Sequence, residues 1–187
     1  ILNSVGEPDL KTEVFGTKMD MPIFLSPTAM QSLYHPDGDK ASARAAEKFG
    51  TIYSMSTMAS FSIEEIANLS SGPKIFQLYI HKDQSITNDL IDRCKRANFN
   101  GMCITVDTIV AGNRERDHRT GFTTPPKFTL DSLLSFAMRP QWVFNYFTHK
   151  KFELANLKDK VDKGTNIAQS VMGYINEQYD PAMNWKD

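Results

Sequence analysis

The sequence predicts an α/β fold built on a parallel sheet, because strand and helix patterns alternate from residue 22 to residue 106. Short apolar runs end in turn residues, and each is followed by a segment whose apolar positions have helical spacing. One strand–helix unit recurs about every 25 residues, as in sheets with helical crossovers. A doubly wound sheet and a (β/α)8 barrel both fit this pattern, and the pattern does not choose between them.

The first unit is predicted from residues 23–25, an apolar run that residues 26–27 (Ser-Pro) end. Turn residues at 35–38 then lead into a helix at 39–49, and Gly50 ends that helix. The positions expected on its buried face are Ala41, Ala45, Ala46 and Phe49.

The later units repeat this plan. The predicted strands lie at 51–56, 75–80 and 102–106. Ser62 and Glu65 form a capping box that starts the second helix, and the third helix runs from Asp83 to Ala97. The positions expected to face the core are Ile63, Ile66 and Leu69 in the second helix and Ile86, Leu90, Ile91 and Cys94 in the third.

The pattern changes after Asp107. No strand is predicted between residues 108 and 165, and an insertion of this length after a strand is usually either functional or disordered. Its aromatic side chains indicate that much of it packs against something. The helices predicted here lie at 130–137, 142–147 and 167–179. We therefore divide the chain into a lead-in at 1–20, four strands with their helices at 21–107, and an insertion with the start of the next helix at 108–187.

Composition and charge exclude several classes of protein. With 187 residues and a formal net charge of −1, the chain can build one core and has no charge excess that would attract nucleic acid. No apolar run approaches the ~18 residues of a membrane-spanning helix, and no signal segment opens the chain. The histidines lack the spacing of metal ligands, so we expect no metal site.

Cys94 and Cys103 are the two cysteines, too few for a disulfide framework, and they favour a reducing, cytoplasmic setting. Cys103 lies in an apolar run and is expected to be buried. The chain begins with Ile1, and residues 184–187 resemble the start of a helix after Pro181. We therefore expect the chain to be part of a longer protein.

Polar side chains gather where the predicted strands end, which is where α/β folds bind ligands. They are Ser26 and Thr28 after the first strand, Ser54, Ser56 and Thr57 on the second, Gln77 and Tyr79 on the third, and Thr105 and Asp107 on the fourth. This set suits a planar heteroaromatic ligand with several hydrogen-bonding edges. The alternative is that each side chain only satisfies nearby backbone groups.

Two charged positions follow the fourth strand. Asp107 could orient a histidine or pair with a cation, or it could only cap the following turn. Arg114 lies in a mixed-charge loop, which is either a solvated surface loop or the place from which an arginine holds a substrate carboxylate bidentately.

Four stretches in order resemble the FMN-dependent 2-hydroxy-acid dehydrogenase family, which includes glycolate oxidase, lactate oxidase, flavocytochrome-type lactate dehydrogenase and mandelate dehydrogenase. They are SPTAM with HPDGD (26–30 and 35–39), MSTMASFSIEEI (55–66), FQLYIHKD (76–83) and ITVDTIVAGNRERDHRTGF (104–122). Each stretch alone is loose, but together, at strand–helix spacing, they are specific. Residues 121–157 are most similar to the cytochrome- or quinone-coupled lactate dehydrogenase branch.

The resemblance implies the first half of a (β/α)8 barrel, with FMN at its mouth and a long insertion after the fourth strand. The residues that it implies in cofactor binding are Thr28, Ala29, Ser56, Gln77 and Thr105. Those that it implies in catalysis are Tyr79, Asp107 and Arg114. Tyr79 would contact the substrate, Asp107 would orient the histidine that acts as base, and Arg114 would lie over the substrate.

The family oxidises an (S)-2-hydroxy acid to the 2-oxo acid and passes the electrons through FMN to a cytochrome, a quinone or oxygen. We expect L-lactate as the substrate and a homo-oligomer. Residues 122–157 are expected to cover the active site or to meet the electron acceptor or the inner membrane as a peripheral contact, and the alternative is that they only pack against the exterior of the barrel. Met58 departs from the glycolate oxidases, which have a tryptophan there. The family's catalytic histidine and phosphate-binding loops would lie after Asp187. The alternatives are another FMN barrel, similar to isopentenyl-diphosphate isomerase, and a truncated, non-catalytic fragment.

Overall fold

The structure is a computed structural model that describes residues 6–107, 115–120, 129–150, 152–158 and Gln178. The strands are β1 (Thr12–Val14), β2 (Thr17–Met19), β3 (Tyr53–Ser56), β4 (Lys74–Leu78) and β5 (Gly101–Ile104). The helices are α1 (Gly38–Lys48), α2 (Ile63–Leu69), α3 (Gln84–Arg96), α4 (Glu115–Thr120), α5 (Leu130–Ala137) and α6 (Pro140–Thr148). A short 3-10 turn, Gln31–Leu33, precedes α1.

A parallel sheet in the order β3-β4-β5 forms the centre of the fold. Its register places Gln77 of β4 opposite Ser56 of β3 and Cys103 of β5. The chain passes from β3 to β4 through α2 and from β4 to β5 through α3. This arrangement confirms the predicted strand–helix alternation, and it brings the carboxyl ends of three strands to one edge of the sheet.

The predicted strand at 23–25 is reduced to a single parallel bridge between Leu25 and Tyr53. Backbone hydrogen bonds on both sides of Leu25 hold this bridge. Pro22 and Pro27 flank the run, and proline gives a sheet no backbone N–H to pair with. The run therefore joins the edge of the sheet beside β3 through one residue.

Helix α1 buries a different face from the predicted one. Its buried side chains are Asp39, Ala43 and Ala46. The prediction is wrong for the other positions that it named, since Ala41, Ala45 and Phe49 are exposed. Ala43 and Ala46 lie four and seven positions after Asp39, so the three residues share one side of the helix. The prediction considered apolar residues alone, and it therefore missed a buried face whose first member is the carboxylate of Asp39.

The starts and faces of α2 and α3 confirm the predictions. Ser62 Oγ accepts from Glu65 N at 3.1 Å, and Glu65 Oε2 accepts from Ser62 N at 2.9 Å, which completes the capping box. Asp83 caps α3 by accepting from Ser85 N at 2.9 Å. The buried apolar side chains are Ile63 and Ile66 of α2 and Ile86, Leu90 and Cys94 of α3, with Leu69 and Ile91 half-buried.

Cys103 was expected to be buried, and this expectation is wrong because its side chain is exposed. Among the described strands, β5 pairs with β4 alone. Its neighbours Met102 and Ile104 are exposed as well. The apolar run that contains Cys103 therefore lies at an edge of the described sheet and not in its core.

The lead-in contains an antiparallel hairpin, β1 with β2, that no sequence pattern predicted. Its turn residues Phe15 and Gly16 both have positive φ, +50° and +74°. Asn-Gly and Asp-Gly are the usual sequences for such a turn, because these residues tolerate positive φ at little cost. A phenylalanine at the first turn position conceals the hairpin.

The insertion confirms two of its predicted helices. Helix α5 has the predicted bounds, and α6 extends the predicted segment 142–147 at both ends. The helix predicted at 167–179 lies outside the described residues except for Gln178. Across the described ranges, no helix has the length and apolar character needed to cross a membrane.

His81, which follows β4, makes the stability of the fold depend on pH. Its side chain is fully buried, and burial lowers the pKa of His81 to about 4, from an ordinary 6.5. The unfolded chain therefore takes up this proton at a higher pH than the folded chain does. The stabilisation is complete above the unfolded pKa and is lost as the pH falls from there toward the folded pKa.

We expect the free energy of unfolding of the intact protein to fall by about 2 kcal/mol between about pH 7 and about pH 5 through this group. Urea unfolding at the two pH values measures the change. His81→Gln removes the titrating group and should flatten the dependence by that amount, with His35→Gln, which changes an exposed histidine, as the control. Equal pH slopes for the wild type and His81→Gln would contradict the prediction.

Candidate functional site

Gln77 lies at the centre of the carboxyl edge of the sheet and is 5% exposed. Its side-chain Nε2 donates to Thr105 Oγ1 at 2.7 Å, and its Oε1 accepts from Ser56 Oγ at 3.4 Å. One amide thus joins side chains at the ends of three adjacent strands in a line, which we call the rim row (Ser56, Gln77 and Thr105). The structure thus brings together three of the five residues that the resemblance implied in cofactor binding.

Thr57 supports the rim row from β3, and it was not among the residues that the resemblance implied in cofactor binding. Its Oγ1 donates to the backbone carbonyl of Gln77 at 2.6 Å and accepts from Tyr79 N at 3.2 Å. The hydroxyl therefore continues the pairing of β3 with β4 after β3 has ended. The only signal in the sequence was its place in the polar stretch at 54–57.

The loop after the first predicted strand contains Thr28 and Ala29. Thr28 is exposed and its Oγ1 donates to the carbonyl of Ser26 at 3.4 Å, whereas Ala29 is half-buried and packs against the core. Met30 follows with φ +55° and donates its N–H to Met58 O at 3.0 Å. This bond ties the loop to the one that follows Ser56, so both loops lie at the edge that carries the rim row.

Tyr79 and Asp107 continue the same edge. Tyr79 stands two residues beyond Gln77, and Asp107 two residues beyond Thr105. Side chains two apart in extended chain point to the same face. Tyr79 is half-buried against the core and Asp107 is exposed. Arg114, the third residue predicted in catalysis, lies outside the described residues.

The segment after α6 returns to this edge. Ala155 N donates to Ala59 O at 3.3 Å, and Asn156 Oδ1 accepts from Ile63 N at 3.0 Å. Arg93 holds the segment by donating to the carbonyl and the side chain of Asn156 at 3.3 and 3.1 Å. It also forms a two-bond fork with Glu64, at 2.7 Å for each bond, which lowers the pKa of Glu64 to about 2.

The rim row fits the ring edge of a flavin. The pyrimidine edge of such a ring alternates carbonyl oxygens with an N–H, so its partners must both donate and accept. Amide and hydroxyl side chains do both, and hydroxyls can turn to suit a ligand. Within the described residues, no group of three or more His, Cys, Asp or Glu side chains could hold a metal ion.

Comparison with known proteins supports this interpretation. A family model described as FMN-dependent dehydrogenase matches residues 1–187. Glycolate oxidase 1 of Zea mays is 38% identical over all 187 residues, and the chain covers 45% of that protein. Glycolate oxidase of Spinacia oleracea is also 38% identical with the same coverage. The chain therefore spans less than half the length of these relatives.

Solved structures are similar over the same part. An (S)-mandelate dehydrogenase, described as a monotopic membrane protein, superposes with a TM-score of 0.85 at 30% identity, over 95% of this chain and 47% of the other. A protein of Pediococcus acidilactici named as a lactate oxidase gives a TM-score of 0.62 at 36% identity, over 72% of this chain and 37% of the other. The likeness confirms the prediction of a partial (β/α)8 barrel with an insertion after its fourth strand, which is β5.

We expect the double change Gln77→Ala with Thr105→Ala to weaken FMN binding by the intact protein by about one to two decades, because each lost hydrogen bond contributes about 0.5–1.5 kcal/mol. Titration of the apoprotein with FMN, followed by flavin fluorescence, measures the affinity. Ser71→Ala, which changes an exposed hydroxyl before β4 at the opposite edge of the sheet, should leave it unchanged. An unaltered affinity in the double variant would remove the rim row from the binding site.

Proposed function

Since this chain belongs to the FMN-dependent dehydrogenase family, its cofactor is FMN, and we propose that the intact protein oxidises an (S)-2-hydroxy acid to the 2-oxo acid. The observation that carries the proposal is the rim row, in which Gln77 joins Ser56 and Thr105 at the carboxyl edge of the sheet. When bound, FMN supplies an acceptor for two electrons. The rim row would fix the pyrimidine edge of its ring, and the backbone at Thr28 and Ala29 would border the reactive edge.

The catalytic roles fall to the residues that extend the same edge. Tyr79 would donate its hydroxyl hydrogen bond to the hydroxyl or carboxylate of the substrate. Asp107 would accept from a histidine that takes the substrate's proton, and so would fix the orientation of that histidine. Arg114 would lie over the substrate and stabilise its negative charge with its planar fork.

L-lactate is the substrate that we propose. The similarity of residues 121–157 to the lactate dehydrogenase branch supports it, as does Met58, a flexible apolar residue where glycolate oxidases have tryptophan. Glycolate and (S)-mandelate are the competing substrates, since the proteins compared above are named for them. A direct comparison of these acids on the intact protein decides among the three.

Anaerobic mixing of the intact protein with L-lactate should bleach its flavin absorbance. The rate of bleaching should be higher with L-lactate than with glycolate or (S)-mandelate. Tyr79→Phe removes the hydroxyl hydrogen bond, and Arg114→Lys keeps the charge but loses the fork. Each should lower kcat/KM about tenfold or more while FMN content is retained.

Arg116→Lys is the matched control, because Arg116 is an exposed arginine two residues from Arg114. It should behave as the wild type. If Arg114→Lys were equally active, that arginine would belong to a solvated loop. If none of the three acids bleached the flavin, the proposed reaction itself would be wrong.

We also propose that the helices α5 and α6 dock on a membrane surface from the cytoplasmic side. Large apolar side chains on them are exposed: Leu130, Leu133, Leu134, Met138, Phe144 and Phe147. We call this set the apolar stripe. Those in and just after α5 follow helical spacing along one side. The charged residues within 129–150 are few, Asp131, Arg139 and Lys150.

The alternative is that the stripe packs against another part of the intact protein or against a second copy of it. The comparison favours the membrane, because the (S)-mandelate dehydrogenase that superposes over 95% of this chain is described as a monotopic membrane protein. A membrane position would favour a quinone or a cytochrome over oxygen as the electron acceptor.

The intact protein should sediment with lipid vesicles. The double change Leu134→Ser with Phe147→Ser should weaken this binding about tenfold or more, since each large apolar side chain that the lipid buries contributes about 1.5–3 kcal/mol to the free energy of binding. Phe49→Ser is the matched control, because Phe49 is an exposed aromatic of α1 outside the stripe. Equal sedimentation of the two variants would contradict membrane docking. A change of oligomeric state in the double variant would assign the stripe to a second copy.

A further inference from the structure

The HPDGD motif at 35–39 contains a buried acid that the proposed chemistry does not use. Asp39, in the first turn of α1, is 0% exposed. Its Oδ1 accepts from the hydroxyl of Tyr53 at 2.9 Å, and its Oδ2 accepts from Ser60 N at 2.9 Å. Burying a carboxylate is costly unless its oxygens are hydrogen-bonded, and here both are. One acid thereby joins α1 to strand β3 and to the loop that leaves it.

The loop held by Asp39 in turn holds the loop of Thr28 and Ala29, which is proposed above to border the flavin. Ser60 Oγ accepts from Ser32 N at 3.1 Å, and Met58 O accepts from Met30 N at 3.0 Å. The hydrogen bonds thus run from Asp39 through the loop after β3 to the backbone immediately after Thr28 and Ala29.

A second connection reaches the same loop from α1. Ser42 Oγ donates to Gln31 Oε1 at 2.6 Å, and Gln31 Nε2 donates to the carbonyl of Thr28 at 3.4 Å. Gly38 allows the close approach that this needs. Its φ is +36°, and a Cβ there would lie 2.9 Å from Ser32 N and 3.1 Å from the carbonyl carbon of Gln31. A side chain at position 38 would push the loop away from α1.

We propose that Gly38 and Asp39 form a positioning clamp that sets the place of the Thr28–Ala29 backbone relative to the rim row. Gly38 and Asp39 are both buried, so we place the clamp behind the site and not in contact with substrate or FMN. It acts through Ser60 and Ser32, and its role in the reaction rests on the proposed function. A shift of about 1 Å in groups beside a reacting centre can cost about a hundredfold in rate, so a clamp of this kind governs turnover more than it governs cofactor affinity.

The test compares Asp39→Ala with Asp37→Ala in the intact protein. Asp37 belongs to the same motif, carries the same charge, is exposed and makes no side-chain cap bond to α1. Hydrogen exchange is read on the peptide 28–34 and, as an internal reference, on α3. In Asp39→Ala the amides of Met30 and Ser32 should exchange about tenfold faster or more, with α3 unchanged, because bonds to a charged acceptor are lost locally.

Two further variants make the test specific. Asp39→Asn should restore most of the protection, because its oxygen can accept from Ser60 N while its amide donates to the Tyr53 hydroxyl. Ser60→Ala removes only the acceptor of Ser32 N, so it keeps the test available if Asp39→Ala fails to fold. This variant should speed hydrogen exchange at the Ser32 amide, while the backbone N–H of residue 60 should stay bonded to Asp39.

Substrate-driven flavin reduction supplies the second measurement. Asp39→Ala should reduce its rate about tenfold or more at unchanged FMN content, and Asp37→Ala should match the wild type. Equal exchange at 28–34 in the two alanine variants would overturn the clamp, and so would faster exchange of α3 to the same degree. A wild-type protein whose flavin is not reduced by any 2-hydroxy acid would instead overturn the proposed function, and the exchange comparison would still test the geometry of the clamp.

Discussion

The hydrogen bond from the Gln77 amide to Thr105, with the bond that Gln77 accepts from Ser56, is the constraint around which the site is built. A buried amide must be satisfied, and here both of its side-chain partners come from the strands on either side. The parallel register that places Ser56 opposite Gln77 is therefore needed for the site as well as for the sheet. A slip of one residue would turn the amide to the other face and separate it from both partners.

The loops at this edge are fixed by side chains and not by the sheet alone. β3 ends at Ser56, yet Thr57, Met58 and Ser60 continue to make hydrogen bonds to β4, to the loop after the first strand, and to α1. Asp39 is the acid that anchors this set. Burial raises the pKa of its carboxyl, while the bonds from Ser60 and Tyr53 act against that rise. Hydrogen bonds within the protein therefore hold the loops at this edge in place without a ligand.

The sequence predicted those parts of the molecule that local chemistry determines. The capping box at Ser62 and the buried face of α3 follow from residue type and spacing, and both are present. The face of α1 was mistaken because its first member, Asp39, is polar and is recognised as buried only when Tyr53 and Ser60 are seen around it. The β1–β2 hairpin escaped because Phe15 occupies a turn position where asparagine or aspartate is expected. The buried face of α1 and the hairpin are set by tertiary contacts and by an unusual backbone conformation, and residue spacing reports neither.

The insertion is attached to the same end of the sheet as the site, which constrains how the two can work together. Trp142 Nε1 donates to Leu33 O at 2.9 Å, and Leu33 belongs to the loop before α1. After α6 the chain is held again, where Ala155 N donates to Ala59 O in the loop after β3. Both anchors lie on loops that follow the carboxyl ends of strands, so the helices that carry the apolar stripe cannot lie at the opposite end of the barrel. The membrane docking proposed above would therefore bring a lipid surface to the side of the molecule that carries the rim row.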